Sequence, residues 1–326
     1  MGHPALPPLA LALVLASACT AEEPRAVAPE AVSLRWETRS PAPTARTEVT
    51  AAADEVRIFV MGGFAEDGNT VATVEVYDAQ ADEWSQGPDL PVAVNHAMSA
   101  VLGGTVHLFG GYAGPGLSNP TDRAFALRGS RWMELPPMPE PRAAAGAAAA
   151  AGRLYVVGGV GPNGLADRTL VFDPSAGRWA TAPGLPTPRE HLGVASFGDS
   201  LYAVGGRTGG IGTNLPAAEA FDPETGEWRR LPEMPSARGG IAAATTDNGF
   251  IVAPGGEADR AIDSVEAFDV ESERWLVLPS MPTPRHGLGV AGIGDSVHVL
   301  AGGPSPGLAF SAANEALDLA PLRGDE

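Results

Sequence analysis

All six tryptophans of this chain fall on one ruler. Trp36, Trp84, Trp132, Trp179, Trp228 and Trp275 are spaced by 48, 48, 47, 49 and 47 residues. A second ruler runs beside it, made of Gly-Gly pairs beginning at Gly62, Gly110, Gly158, Gly205, Gly255 and Gly302, with spacings of 48, 48, 47, 50 and 47. A period held over the whole chain means a repeat architecture, in which each unit buries its apolar face against its neighbours.

One period reads as four short strands. Between residues 189 and 228, Leu192-Gly193-Val194-Ala195-Ser196 ends in a turn at Gly198-Asp199-Ser200, and Leu201-Tyr202-Ala203-Val204 runs into Gly205-Gly206. After a loop, Glu219-Ala220-Phe221-Asp222 and the turn Pro223-Glu224-Thr225-Gly226 lead to Trp228. Short strands with turn residues this often predict an all-β fold, and four strands per unit of this length predict the blade of a propeller. The recurring Pro-Arg, Gly-Gly, Glu-x-Phe-Asp-Pro and Trp resemble the kelch repeat, in phase over residues 31–320. That resemblance implies a six-bladed β-propeller with four antiparallel strands per blade.

The phase also predicts how the ring closes. Trp36 ends a unit that has no beginning, and Gly302-Gly303 begins a unit that has no Trp. The stretch Val32–Trp36 is therefore expected to supply the outer strand of the last blade, removing an open sheet edge. The Ala- and Gly-rich runs 143–151 and 239–244 would suggest helix in isolation. Here they are read as inner strands, where converging blades leave little room.

Residues 1–18 read as an export signal, with an apolar run, Leu6 to Ala16, too short to span a bilayer. Cys19 follows Ala16-Ser17-Ala18 and is the single cysteine, so no disulfide is available. A cysteine there resembles the lipidated residue of a bacterial lipoprotein, although the same bond also suits ordinary signal cleavage. The expectation is an exported, cell-envelope protein anchored by lipid at Cys19, with 19–30 as tether and 321–326 as a frayed tail. A net charge of −18 argues against nucleic acid as a partner, and a monomer is expected.

In an up-and-down blade, the loops after Gly-Gly share one face. They are long and dissimilar here (112–122, 207–218, 304–313), whereas the opposite turns are tight. Variable loops on a rigid scaffold carry function, so Tyr112 and Arg207 are candidate ligand-binding residues. Five inner strands begin with Arg: Arg46, Arg142, Arg189, Arg238 and Arg285. These admit two readings. One is a ring of guanidinium groups that binds carboxylates. The other, which carries more weight, is pairing within each repeat with Glu75, Glu219, Glu266 and Glu315. Arg142 faces Leu170 instead of a Glu and is expected to be free for a ligand. In the second blade Val94 stands for Arg, and Arg123 is read at the Glu position.

His96, His191 and His286 also begin inner strands. Their offsets from Gly-Gly differ (14, 14 and 16), so a three-His metal site is not expected, although His96 stays a candidate ligand contact. No metal, cofactor or catalytic residue is assigned. The resemblance also reaches copper radical oxidases, but their cross-linked Cys has no counterpart in the fold. Two functions remain: a non-enzymatic module recognising a protein, peptide or glycan, and an enzyme resembling the six-bladed sialic acid mutarotase.

Overall fold

A computed structural model describes residues 1–2 and 34–323; the export segment, Cys19 and the tether lie outside the described residues. The described chain is all-β: six sheets of four antiparallel strands form a six-bladed propeller. In the first blade Thr50–Ala53, Arg57–Met61, Val74–Asp78 and Glu83–Gln86 pair in that order. Sheets with inner strands Met98–Leu102, Gly146–Ala150, Gly193–Phe197, Ala244–Thr245 and Gly289–Ile293 complete the ring.

The closure follows the phase of the repeats. Trp36–Thr38 pairs antiparallel with Asn314–Asp318 of the sixth blade, in the register Trp36 to Leu317 and Thr38 to Glu315. The Ala-rich run is strand over Gly146–Ala150. Its small residues are required by the neighbouring blade, because a Cβ on Gly146 would lie 2.3 Å from Val194 Cγ2.

Both rulers are contacts between blades. Each indole N–H donates to a backbone carbonyl of the preceding blade region: Trp36 to Pro279, Trp84 to Ser40, Trp132 to Pro88, Trp179 to Pro136, Trp228 to Pro183 and Trp275 to Pro232, at 2.8–2.9 Å. The second glycine of each pair donates its N–H to the residue that begins the next inner strand: Gly63 to Val94, Gly111 to Arg142, Gly159 to Arg189, Gly206 to Arg238 and Gly256 to Arg285. The sixth blade closes this circuit with Gly302 to Arg46 at 2.8 Å. Its equivalent pair is thus Ala301-Gly302, not Gly302-Gly303, and Ala301 takes the left-handed backbone (φ 55°) of the first glycine elsewhere.

Arg323, the last described residue, is held in place; residues 324–326 of the expected tail lie outside the described residues. Arg323 donates to the Asn248 carbonyl at 2.9 Å and to Asp269 at 2.6 Å, and its guanidinium lies 4.6 Å from the Phe250 ring centre.

Candidate functional site

The inner-strand arginines lie inside the blades. Arg46, Arg142, Arg189, Arg238 and Arg285 are all 0% exposed. Four meet the third-strand glutamate of their own repeat: Arg46–Glu75 at 2.8 Å, Arg189–Glu219 at 2.6 Å, Arg238–Glu266 at 2.6 Å and Arg285–Glu315 at 2.7 Å. Each also donates to backbone carbonyls, including the one that precedes the second glycine. Arg46, for instance, reaches Gly62 at 2.8 Å and Thr73 at 3.0 Å. Burial lowers each guanidinium's pKa, and the glutamate opposes that shift. Charges taken this far from water require such compensation, and no guanidinium of the five faces the mouth of the ring.

Two sequence expectations change here. Arg142 is not free: it donates to the Gly158 carbonyl at 2.8 Å and pairs with Glu140, two residues upstream. The other Arg-bearing repeats have Thr44, Thr187, Ser236 and Thr283 at that position. The third repeat has therefore moved its carboxylate from the third strand, where Leu170 stands, to the turn. Arg123, in turn, is not at the Glu position. The register places Phe125 opposite Leu108, as Glu75 is placed opposite Val60. Val94 and Phe125 share one buried cluster, so the second blade replaces the ion pair by an apolar contact. Arg123 pairs with Glu134 at 3.0 Å on a half-exposed surface.

The residues that ring the axis come two positions after each arginine, or after Val94, and three of them are ionisable. These are Glu48, His96, Ala144, His191, Gly240 and Gly287, each twelve residues beyond a ruler Trp. All six have left-handed φ, between 51° and 69°. Their backbones are joined in a ring: His96 N–H donates to Glu48, Ala144 to His96, His191 to Ala144, Gly240 to His191 and Gly287 to Gly240, at 2.8–3.1 Å, and Val49 closes it onto Gly287 at 3.3 Å. A non-glycine residue held there costs on the order of 1–2 kcal/mol, and the blade-to-blade hydrogen bonds hold it. The two glycines make room: a Cβ on Gly287 would lie 2.6 Å from the Glu48 carboxyl, and one on Gly240 3.2 Å from Glu257 Cγ.

Around this ring lies a cup of about 360 Å³ on the long-loop face. Its floor holds Glu48, His96, His191, Arg207, Glu257 and His286, its apolar wall includes the buried Phe64, and Leu117, Ile211 and Leu308 stand at its rim. His96 Nε2 lies 3.0 Å from Glu48, and His286 Nε2 lies 3.5 Å from both Glu48 and Glu257. Arg207 donates to Glu257 at 2.7 Å and approaches Glu190 at 3.4 Å. Tyr112, buried, packs edge-on against His96 at 5.7 Å and does not line the cup. Burial pushes its phenol pKa up, helped by Glu190.

Burial alone would raise the Glu48 carboxyl, but His96, with His191 and His286, holds it well below the usual carboxylate range. Glu190 likewise sits low despite burial, because His191 and Arg207 are beside it. His191 is pulled down by burial, against the opposing Glu190. Glu48 and Glu257 on the floor, with Glu190 beside Arg207, outnumber the single guanidinium there.

A comparison with known proteins agrees with this architecture. The KLHDC2/KLHL20/DRC7 Kelch-repeats domain matches residues 30–184 and 138–303, more than half of the chain. The chain belongs to the kelch-repeat family. Similar proteins include Kelch-like protein 36 of Mus musculus, 36% identical over 61 residues, which is 18% of this chain and 10% of that protein. Beta-scruin of Limulus polyphemus is 32% identical over 77 residues, 22% of this chain and 8% of that protein. The matched stretches thus span about a tenth of these relatives' own length.

Both rulers carry the signal of this site, since Glu48, His96 and His191 each lie 14 residues before their Gly-Gly pair. Counted from Trp, His96 and His191 are equivalent, with Glu48 in the same place. His286 is one residue earlier, yet its ring also turns to the axis. The three histidines therefore do converge, contrary to the offset argument. His107 and His298 lie on second strands, away from the cup.

Proposed function

We propose that the protein is a recognition module whose long-loop face takes a segment of a protein partner. Kelch-repeat propellers serve as protein-interaction modules, which sets the class. The observation that carries the site is the cup itself. Leu117 and Leu308, 59% and 62% exposed, stand on its rim over a floor of histidine and carboxylate groups. Exposed apolar side chains grouped around a polar-floored cavity mark interaction sites. The occupant would insert an apolar side chain between Phe64, Leu117, Ile211 and Leu308 and place a hydrogen-bonding or cationic group on the acidic floor.

The test is selection of binding peptides from a random library, followed by Leu117→Asp with Leu308→Asp. Both positions are exposed, so the variant should melt as wild type does and bind the selected peptides at least tenfold more weakly. Peptides that bind the variant equally well would place recognition elsewhere. The mutarotase alternative drew on size, blade number, export and arginines lining the mouth. The inner-strand arginines are buried in ion pairs and Arg207 is held by Glu257, which removes the last of these grounds.

We further infer export, with Cys19 as a lipid anchor at the cell envelope and residues 20–30 as tether. The apolar run and the single cysteine support it. Cys19→Ser should move the protein from membrane to soluble fractions; a wild-type protein already soluble would refute the anchor.

A further inference from the structure

We propose that the axial ring is a metal site: Glu48, His96 and His191 hold one divalent transition-metal ion of the zinc class, with a coordination position open to the cup. One donor atom from each of the three lies within 4.8 Å of the others. A triangle of that size has its centre no more than about 2.8 Å from each atom, against about 2.0–2.2 Å in a bound zinc. Closing on an ion therefore takes a movement of roughly 0.7 Å per ligand.

Tautomers supply the second argument. Asn95 donates through Nδ2 to Thr70 Oγ1 at 2.9 Å and to the Gly116 carbonyl at 3.3 Å, so its Oδ1 is the acceptor that faces His96 Nδ1 at 2.6 Å. His96 must carry a proton on Nδ1. His286 Nδ1 faces the Gly303 carbonyl at 3.1 Å and must do the same. In the neutral imidazoles both Nε2 atoms are then lone pairs, and both are aimed at carboxylates. Lone pair against carboxylate is repulsive unless a proton or a metal ion lies between them. His191 Nδ1, 3.4 Å from Glu190, and Glu257 Oε2, 3.5 Å from His286 Nε2, are also buried with only these long contacts. A metal ion resolves the first conflict, and the Asn95 contact is the outer-shell support that ligating histidines use. Two histidines and one carboxylate with an open position form a Lewis-acid donor set.

Three ligands come from three blades and sit on strained, left-handed residues. The ion would therefore tie the ring across its axis and give an incoming ligand a point of attachment. The inference stands apart from the protein-recognition reading, because its test uses the metal alone.

The chelator-stripped full chain would be titrated with Zn2+ and Co2+ at pH 7.5, following melting temperature, heat and the visible Co2+ spectrum. One ion per chain, a rise of several degrees in Tm and intense low-symmetry Co2+ bands are expected. Ala144 already occupies the position equivalent to His191 in another blade, so His191→Ala keeps an acceptable backbone and should lose at least a hundredfold in affinity. Glu48→Gln should lose tenfold or more, and His107→Gln none. Absence of saturable binding by the folded wild type, or binding undiminished in His191→Ala, overturns the site. So would nitrogen NMR showing His96 Nε2 still protonated at pH 7.5 with metal present.

Discussion

Removing one arginine from a blade tests the ion-pair reading most directly. Arg189 is completely buried and donates to Glu219 at 2.6 Å, to the carbonyls of Gly205 and Thr187 at 2.6 and 2.8 Å, and to that of Ala203 at 2.9 Å. Arg189→Ala would strand the Glu219 carboxylate, 1% exposed, with no cation beside it. Breaking a buried pair from one side costs about 3–5 kcal/mol. The lost carbonyl contacts add to this, whereas water entering the vacated space reduces it. At roughly 2–4 °C per kcal/mol for a domain of this size, Tm should fall by about 10 °C. Glu219→Gln keeps an acceptor and leaves Arg189 its carbonyls, so it should cost less. Arg189→Ala with Glu219→Ala should recover part of the single loss, and with Glu219→Ala alone completing the cycle the coupling measures the pair. Thermal melts followed by far-ultraviolet circular dichroism would read all five proteins. An Arg189→Ala variant melting within a degree of wild type would refute the argument.

The third repeat offers a rewiring experiment. Glu140→Thr should destabilise by stranding the Arg142 charge, on the order of 3 kcal/mol, and adding Leu170→Glu should restore much of it by rebuilding the pattern of the other repeats; thermal melts of the two variants decide. Deleting residues 34–38 removes the strand paired with Asn314–Asp318 and exposes that edge, so the protein should aggregate, as seen by light scattering. His298 should set part of the acid response. Burial and then Arg39, opposed by Asp82, bring its pKa from the ordinary 6.5 to about 4. Between those values the unfolded chain binds the extra proton, so stability should fall as pH drops from 6.5 to 4. The loss is on the order of 3 kcal/mol, from about 1.4 kcal/mol per unit. His298→Gln should flatten that part of a stability-versus-pH curve; an unchanged slope would count against it.

The architecture was legible because it is written as a period. Six Trp in phase with five Gly pairs and Gly302 require six equivalent units, and the incomplete first and last units require the strand exchange seen at Trp36. The arginine pairs were legible for the same reason, since Arg and Glu recur at fixed phase. What broke the period was misread. Glu140 lies on a turn rather than on the third strand, and the shift to Ala301-Gly302 could not be distinguished from Gly302-Gly303 without hydrogen-bond register. The axial cluster was the largest omission. Glu48, His96 and His191 share a phase with Trp, but they are different residue types in different repeats, and His286 lies one position out of phase. By itself, the sequence determined the repeat, the blade number and the closure, because these depend on local strand and turn chemistry repeated along the chain. Only the tertiary structure decided which side chains meet at the axis. Residues 48, 96, 191 and 286 are brought together by closing the ring and by left-handed backbone held between blades, and neither is a property of any one repeat.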